Sequence, residues 1–111
     1  MMNSIYPDII KGLPEADIPF EGVKGWLSQS GDHQIVFFEI EPIGKVAEHA
    51  HAAQWGFVID GEIELTIGDE IKTYKSGDHY YIPENIIHSA TFKKRTFVVD
   101  VFADKDRYKS K

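Results

Sequence analysis

Four residues have the side-chain types and spacing needed to bind a metal ion: His49, His51, Gln54 and His88. Only Ala50 separates the first two, and alternate side chains of an extended strand point to the same face. The two imidazoles can therefore present their nitrogens to one point, as a chelate does. Gln54 follows three positions later, and His88 can join the site only if the chain folds back.

The ligand types limit which metal chemistry we expect. The chain has no cysteine, which excludes a thiolate zinc site, a disulfide framework and a cysteine nucleophile. Nitrogen and oxygen ligands of this kind suit Zn, Ni, Fe, Co, Cu or Mn, and the sequence does not choose among them. Because the carbonyl oxygen of Gln54 is neutral, a bound ion would keep more positive charge than beside a carboxylate, which favours Lewis-acid chemistry. The alternative is that His49 and His51 are a surface feature of an amphipathic strand.

A carboxylate in a strongly apolar segment is the next candidate for chemistry. Strand alternation over residues 96–102 places the even-numbered residues, Asp100 among them, on one face. Burial would raise the pKa of Asp100 and a nearby cation would lower it, so Asp100 could act as a general base or acid beside a metal. The structural alternative is an aspartate on an edge strand that is hydrogen-bonded or salt-bridged, for example to Arg107.

The elements that must position these residues are predicted to be strands. Period-two alternation dominates the chain, with turn signals roughly every eight to twelve residues, so we expect an all-β domain whose strands are closed or sandwiched. Predicted strands cover residues 18–20, 23–29, 34–40, 62–67, 70–74, 79–82, 88–92 and 96–102, with a hairpin turn at 68–69. Residues 4–13 are expected to form one short helix or an arm, capped by Ser4 and ended by Pro14.

Composition excludes several classes of protein. With 111 residues and 42% hydrophobic content, the chain is expected to form one globular domain. Its formal net charge is -6, which disfavours binding to nucleic acid. We find no signal-peptide pattern and no apolar segment of membrane-spanning length, and we therefore expect a cytoplasmic protein without membrane partners.

Two segments resemble the paired conserved motifs of the cupin superfamily. Residues 44–61, GKVAEHAHAAQWGFVIDG, resemble the first motif, and residues 77–88, GDHYYIPENIIH, resemble the second. Asn85 stands where the second motif has a glycine and can adopt the same left-handed turn. The resemblance implies a small cupin of the cupin 2 type, with a double-stranded β-helix that is also called a jelly-roll or RmlC-like barrel. Residues 1–17 would form an N-terminal arm or short helix and residues 18–111 the barrel.

The same resemblance implies a metal site. Its ligands would be His49, His51 and His88, with Gln54 in place of the usual glutamate. A small-molecule substrate or ligand would then bind in the barrel beside the metal. Homodimers are typical of the family.

The end of the chain is also similar to small cupins of pectin and alginate breakdown, which convert cyclic unsaturated uronates to their linear keto form. In those proteins an aspartate, a phenylalanine and an arginine lie near a metal that is held by three histidines and a glutamine. The matching residues here are Asp100, Phe102 and Arg107, although Arg107 is one residue later than the pattern. An arginine fork would suit a carboxylate substrate.

Aromatic residues are candidates for pocket walls or contacts between subunits. Trp26, Phe38 and Tyr81 are predicted to line the substrate pocket with Phe102, and core packing is the alternative for each. The strand at 97–102 is apolar on both faces, so we expect its second face to meet another chain in a homodimer.

Three functions remain open at this stage. The first is a metal-dependent isomerase or lyase acting on a small sugar acid or keto acid, with Asp100 as the base. The second is a metal-dependent dioxygenase of a small enol-type substrate, which the lack of a carboxylate ligand disfavours. The third is a non-catalytic cupin that binds a small ligand.

Overall fold

The computed structural model describes residues 4–49 and 52–111, with residues 47–49 described through their backbone only. This part of the chain forms one short helix and nine strands. In chain order they are α1 (Asp8–Lys11), β1 (Val23–Gln29), β2 (Gln34–Ile40), β3 (Gly44–His49), β4 (Gln54–Asp60), β5 (Glu62–Ile67), β6 (Glu70–Lys75), β7 (His79–Ile82), β8 (His88–Phe92) and β9 (Thr96–Phe102).

The strands form two antiparallel sheets that pack as a jelly-roll barrel, as predicted. The five-stranded sheet has the order β1-β2-β9-β4-β7, and the four-stranded sheet has the order β3-β8-β5-β6. Strand β9 is therefore central, with β2 on one side and β4 on the other. The predicted hairpin is confirmed, because Ile67 pairs with Glu70 and Gly68 adopts a positive φ of 58° between them.

Alternation of side chains determines which face of each strand is buried. In β4 the residues Gln54, Gly56 and Val58 are buried, whereas the residues between them are exposed. Aliphatic and aromatic side chains from both sheets form one core between the layers. Burial of this apolar surface is the main favourable contribution to the barrel's stability.

The N-terminal segment differs from the prediction. Helix α1 is a single turn that begins after Pro7, so Ser4 does not cap it. Residues 18–20 do not form a strand, because Pro19 in their middle has no N–H to donate to a ladder. In the described part of the chain no helix has the length and apolar character needed to cross a membrane.

The same segment covers part of the five-stranded sheet's outer face. Tyr6, Trp26 and Phe97 form a second, smaller cluster there, and the Tyr6 hydroxyl donates a hydrogen bond of 2.7 Å to the carbonyl of Phe38. The outward-facing Phe97 was expected to meet another chain. It is instead buried by residues of its own chain.

Candidate functional site

A cavity of about 90 Å³ lies between the two sheets of the barrel. Most of its described lining is aliphatic or aromatic. Among the lining residues are an amide, an imidazole, a carboxyl and a guanidinium group that could bind or react with a ligand. They belong to Gln54, His88, Asp100 and Arg107. All four are predicted from the sequence as site residues, and the cavity brings them together.

Gln54 begins β4 and is 7% exposed. Its strand pairs with β7 on one side and with β9 on the other, so Gln54 lies opposite both Ile82 and Phe102. The Gln54 amide hydrogen-bonds to the Asp100 carboxylate, and because a carboxylate accepts, the amide nitrogen is the donor. Its Oε1 atom is buried and has no hydrogen-bond partner among the described atoms. A buried acceptor of this kind calls for a donor or a cation.

Asp100 lies in the middle of β9 and is 4% exposed. Burial raises the pKa of Asp100 from 3.8 to about 7, while hydrogen bonds from Tyr80 and Gln54 act in the opposite direction. The Tyr80 hydroxyl donates at 2.7 Å to Oδ1 of Asp100. The carboxyl group can therefore gain or lose a proton near neutral pH. It is hydrogen-bonded, as the structural alternative expected, but its partners are Tyr80 and Gln54, and β9 is not an edge strand.

Tyr80 reaches Asp100 because the strand between them carries a glycine. Gly56 on β4 pairs with Tyr80 on β7 and with Asp100 on β9. A Cβ atom at position 56 would lie 1.9 Å from Cζ of the Tyr80 ring. Only glycine leaves the ring room to cross β4.

His88 begins β8 and is buried. Its Nδ1 lies 2.9 Å from the carbonyl oxygen of Ile86, and because a carbonyl can only accept, Nδ1 carries the proton. In a neutral imidazole the lone pair is then on Nε2, the arrangement that metal-binding histidines commonly have. The turn before this strand contains Asn85 with a φ of 61°, which confirms the predicted left-handed conformation.

The other two predicted ligands are described only in part. The backbone of His49 ends β3 directly opposite His88, but its side chain lies outside the described atoms. His51 lies outside the described residues altogether. Among the side chains that the structure does describe, no group of three histidine, aspartate or glutamate residues is arranged to hold a metal ion. The predicted three-histidine set stays a prediction.

Arg107 reaches the cavity although it is one residue later than the family pattern. Its guanidinium Cζ lies 4.4 Å from the ring centroid of Tyr108 and 5.8 Å from that of Phe102. Its Nε atom is buried, and the described part of the chain supplies no hydrogen-bond partner for it. A cation in this position can receive a carboxylate from a ligand.

The segment that carries Arg107 folds back onto the barrel and is not a solvated tail. The Gln34 side chain donates at 2.7 Å to the carbonyl of Tyr108 and accepts at 3.0 Å from its N–H. Farther along, Ser110 pairs with Ala16 in an isolated bridge. These contacts fix the backbone on both sides of Arg107.

The predicted pocket aromatics separate into two groups. Phe38 and Phe102 line the cavity. Trp26 belongs to the cluster on the outer face of the sheet, and Tyr81 is exposed on that same face with its ring centroid 4.9 Å from that of Trp55. The expectation that Trp26 and Tyr81 form pocket walls is therefore corrected, because strand alternation directs both away from the cavity.

Sequence reasoning missed Tyr80 and Tyr108, which both line the cavity. Tyr80 shares strand parity with the buried Ile82, and that parity could have identified it instead of Tyr81. Tyr108 lies beyond the last strand, where alternation gives no signal. Its position depends on the contact with Gln34.

The described donor set fits a divalent metal ion. It offers a neutral amide oxygen without a partner at Gln54 and an imidazole at His88 whose proton is on Nδ1. Both side chains line the same cavity. Oxygen and imidazole ligands of this type are compatible with several first-row metals.

Comparison with known proteins identifies the type of domain. The model of a family described as Cupin domain matches residues 36–102. The H2HPP isomerase of Bacillus subtilis is 32% identical over 71 residues, which make up 62% of this chain and 30% of that protein. The chain thus spans less than a third of the length of this curated relative.

Solved structures share the fold. An RmlC-like cupin from Shewanella frigidimarina superimposes with a TM-score of 0.75 at 22% identity, covering 85% of this chain and 86% of the other. KdgF from Halomonas sp. gives a TM-score of 0.72 at 21% identity, covering 83% and 88%. A variant of oxalate decarboxylase from Bacillus subtilis gives 0.71 at 23% identity, covering 84% of this chain and 28% of the enzyme. At these identities the likeness concerns the fold alone.

Proposed function

This chain belongs to the cupin domain family, and from that premise we propose that it is a metal-dependent isomerase or lyase of a small sugar acid or keto acid. The curated relative from Bacillus subtilis is named as an isomerase, which supports a reaction of this general class. The activity would reside in the barrel cavity.

The observation that carries the proposal is the buried Oε1 atom of Gln54. It has no partner among the described atoms, and its cavity is also lined by His88, Asp100 and Arg107. A buried acceptor left unsatisfied costs about 1–3 kcal/mol. A metal ion in the cavity would satisfy it.

His49, His51, His88 and Gln54 would hold one divalent transition metal ion. Such an ion supplies Lewis-acid polarisation of a substrate carbonyl or hydroxyl oxygen. We leave its identity open among Zn, Ni, Fe, Co, Cu and Mn, all of which accept this ligand set.

Asp100 and Arg107 would act on the substrate. Asp100, whose pKa is raised by burial and would be lowered by a bound cation, would take a proton from a carbon next to a carbonyl and return it to another position. Arg107 would bind the substrate carboxylate, and the rings of Phe38 and Phe102 would keep water from the reacting atoms. Isomerisation of this kind moves a proton and a double bond and consumes no oxygen.

Metal content and proton exchange test the proposal together. We expect protein purified without a histidine tag to contain, or to take up, one transition metal ion per chain. His88→Gln should lower metal binding by at least about tenfold, whereas His79→Gln, at an exposed position outside the cavity, should not. The loaded protein should exchange substrate C–H protons with D₂O, observed by NMR, without uptake of oxygen.

Two results would contradict the proposal. Absence of metal, both as purified and after incubation with each of the six ions, would remove its basis. Stoichiometric uptake of oxygen with a substrate would instead support a dioxygenase.

We also propose that the chain forms a homodimer through the outer face of the five-stranded sheet. Trp55, Phe57, Ile59 and Tyr81, here called the outer patch, are each more than 40% exposed. They lie on the adjacent strands β4 and β7. Apolar surface of this kind is commonly buried in an interface between subunits.

A further inference from the structure

We propose that the substrate is a small carboxylic acid with an apolar body, such as a short 2-oxo acid, and not a polyhydroxylated sugar acid. This inference rests on the proposed function, because it assigns the substrate class of the same cavity. It chooses between the two classes that the proposed function leaves open.

The described part of the cavity wall offers few side chains, beyond that of Tyr108, that could hydrogen-bond a hydroxyl group. The described lining residues include no serine, threonine, asparagine, lysine or glutamate. Asp100 already accepts hydrogen bonds from Tyr80 and Gln54. The remaining wall consists mainly of apolar side chains, such as those of Ile40, Leu65 and Phe92.

An apolar wall selects against hydroxyl groups. A hydroxyl moved from water to such a wall without a partner lowers affinity by about an order of magnitude. A methylene group in the same place gains affinity because apolar surface leaves water. The contrast grows with each hydroxyl on the substrate.

Arg107 is the reason to expect that the substrate is an acid. Its side chain lies against Tyr108 and Phe102, and its Nε is buried with no partner in the described atoms. A positive charge beside apolar walls is best satisfied by an anion that brings its own charge. A carboxylate matches the planar guanidinium in shape.

The size of the cavity limits the length of the body. About 90 Å³ accommodates roughly six to nine groups of the size of water. A six-carbon 2-oxo acid has about that number of non-hydrogen atoms.

Two matched ligands test the inference: 2-oxohexanoate and 4,5,6-trihydroxy-2-oxohexanoate. They share the carboxylate, the ketone and the six-carbon chain, and they differ only in three hydroxyl groups. Isothermal titration calorimetry is to be performed with metal-loaded and with metal-free protein. We expect 2-oxohexanoate to bind at least about tenfold more tightly than the trihydroxy acid, to the metal-loaded and to the metal-free protein alike. Equal or tighter binding of the trihydroxy acid, or no binding of either acid, would overturn the inference.

A charge variant tests the role of Arg107 in the same titration. Arg107→Gln should weaken the binding of 2-oxohexanoate about 10- to 100-fold. The affinity for the methyl ester of that acid should not change. Lys105→Gln removes one positive charge from an exposed position of the same segment and should leave both affinities unchanged. If Arg107→Gln weakens the binding of the acid and of the ester equally, the proposed contact between Arg107 and the substrate carboxylate is wrong.

The titration separates this inference from the proposed function, because it does not depend on turnover. If 2-oxohexanoate is preferred but the loaded protein exchanges no protons with any 2-oxo acid, the proposed function fails and the ligand class stands. If the loaded protein turns over the trihydroxy acid and binds it at least as tightly, the ligand class fails and the isomerase proposal stands.

Discussion

Gln54, Asp100 and Tyr80 form a hydrogen-bonded chain across three adjacent strands. Asp100 accepts from Tyr80 at 2.7 Å and from the Gln54 amide. Because the amide nitrogen faces Asp100, the amide oxygen faces elsewhere and has no described partner. Asp100 therefore sets which end of Gln54 is available to a metal ion.

Replacing this carboxylate should affect metal binding as well as proton transfer. Asp100→Asn keeps one acceptor for Tyr80 but presents an NH₂ group that needs an acceptor of its own, and Gln54 can supply one only by turning its oxygen towards residue 100. We expect metal affinity, measured by competition with a chromophoric chelator, to fall about 10- to 100-fold. Asp106→Asn, at an exposed site, serves as the control. Unchanged metal affinity in Asp100→Asn would show that Asp100 does not orient Gln54.

Gly56 should tolerate no side chain. In Gly56→Ala the new Cβ would lie 1.9 Å from the Tyr80 ring, so the ring must move and its bond to Asp100 must break. We expect the free energy of unfolding, from urea denaturation, to fall by about 2–4 kcal/mol. Gly31→Ala is the matched control, because a Cβ at that position meets no atom within 4 Å. A loss below about 0.5 kcal/mol at Gly56 would mean that the strand relaxes around the ring.

At the scale of elements, the C-terminal segment 103–111 positions Arg107 through contacts made by its neighbours. Gln34 bonds both backbone groups of Tyr108, and Lys111 forms an ion pair of 2.7 Å with Glu15. The ion pair is exposed and contributes little. Gln34 is 1% exposed, so its two bonds carry more weight.

Loss of the Gln34 bonds should loosen this segment while sparing the metal site. In Gln34→Leu the N–H and the carbonyl of Tyr108 lose their partner, and we expect a loss of stability of about 1–3 kcal/mol in urea denaturation. Carboxylate affinity, measured by calorimetry with 2-oxohexanoate, should fall several-fold because Arg107 is less restrained. Metal affinity in the same variant is the internal control and should not change. Retention of full carboxylate affinity would indicate that other contacts hold Arg107.

Strands could be predicted from the sequence better than the segments that flank them. The alternation over residues 96–102 predicts that Val98, Asp100 and Phe102 share one face, and all three line the cavity. Alternation fixes only the relative phase within a strand, so the choice of Tyr81 over Tyr80 in β7 was wrong. The positions of Tyr6 and Tyr108 depend on long-range bonds to β2 and β9, for which no local pattern exists.

At the scale of the whole molecule, the five-stranded sheet is covered on its outer face only in part. Tyr6 and α1 belong to the segment that packs on one side, where Tyr6 contacts Trp26 and Phe97. No described segment covers the outer patch on β4 and β7 in this way, and it remains exposed. A second copy of the chain could bury the outer patch without burying a charge, because none of its four residues is charged.

Sedimentation velocity at micromolar concentration should detect a dimer. Phe57→Asp places a charge in the outer patch and should shift the protein to monomer, because burying an unpaired carboxylate is costly. Ile71→Asp is the matched control, since Ile71 is 69% exposed on β6 of the other sheet. A wild-type protein that sediments as a monomer would contradict the proposed dimer.

The central place of β9 has a consequence for the order in which the protein can be made. This strand follows all the other strands in the described chain, yet it lies between β2 and β4 and supplies Asp100 to the cavity. A nascent chain on the ribosome, before β9 has emerged, has no strand to join β2 to β4 and exposes edges that can pair with other chains. We therefore infer that the barrel closes only after residues 96–102 have emerged, and that ribosomes stalled before residue 96 would carry an aggregation-prone intermediate.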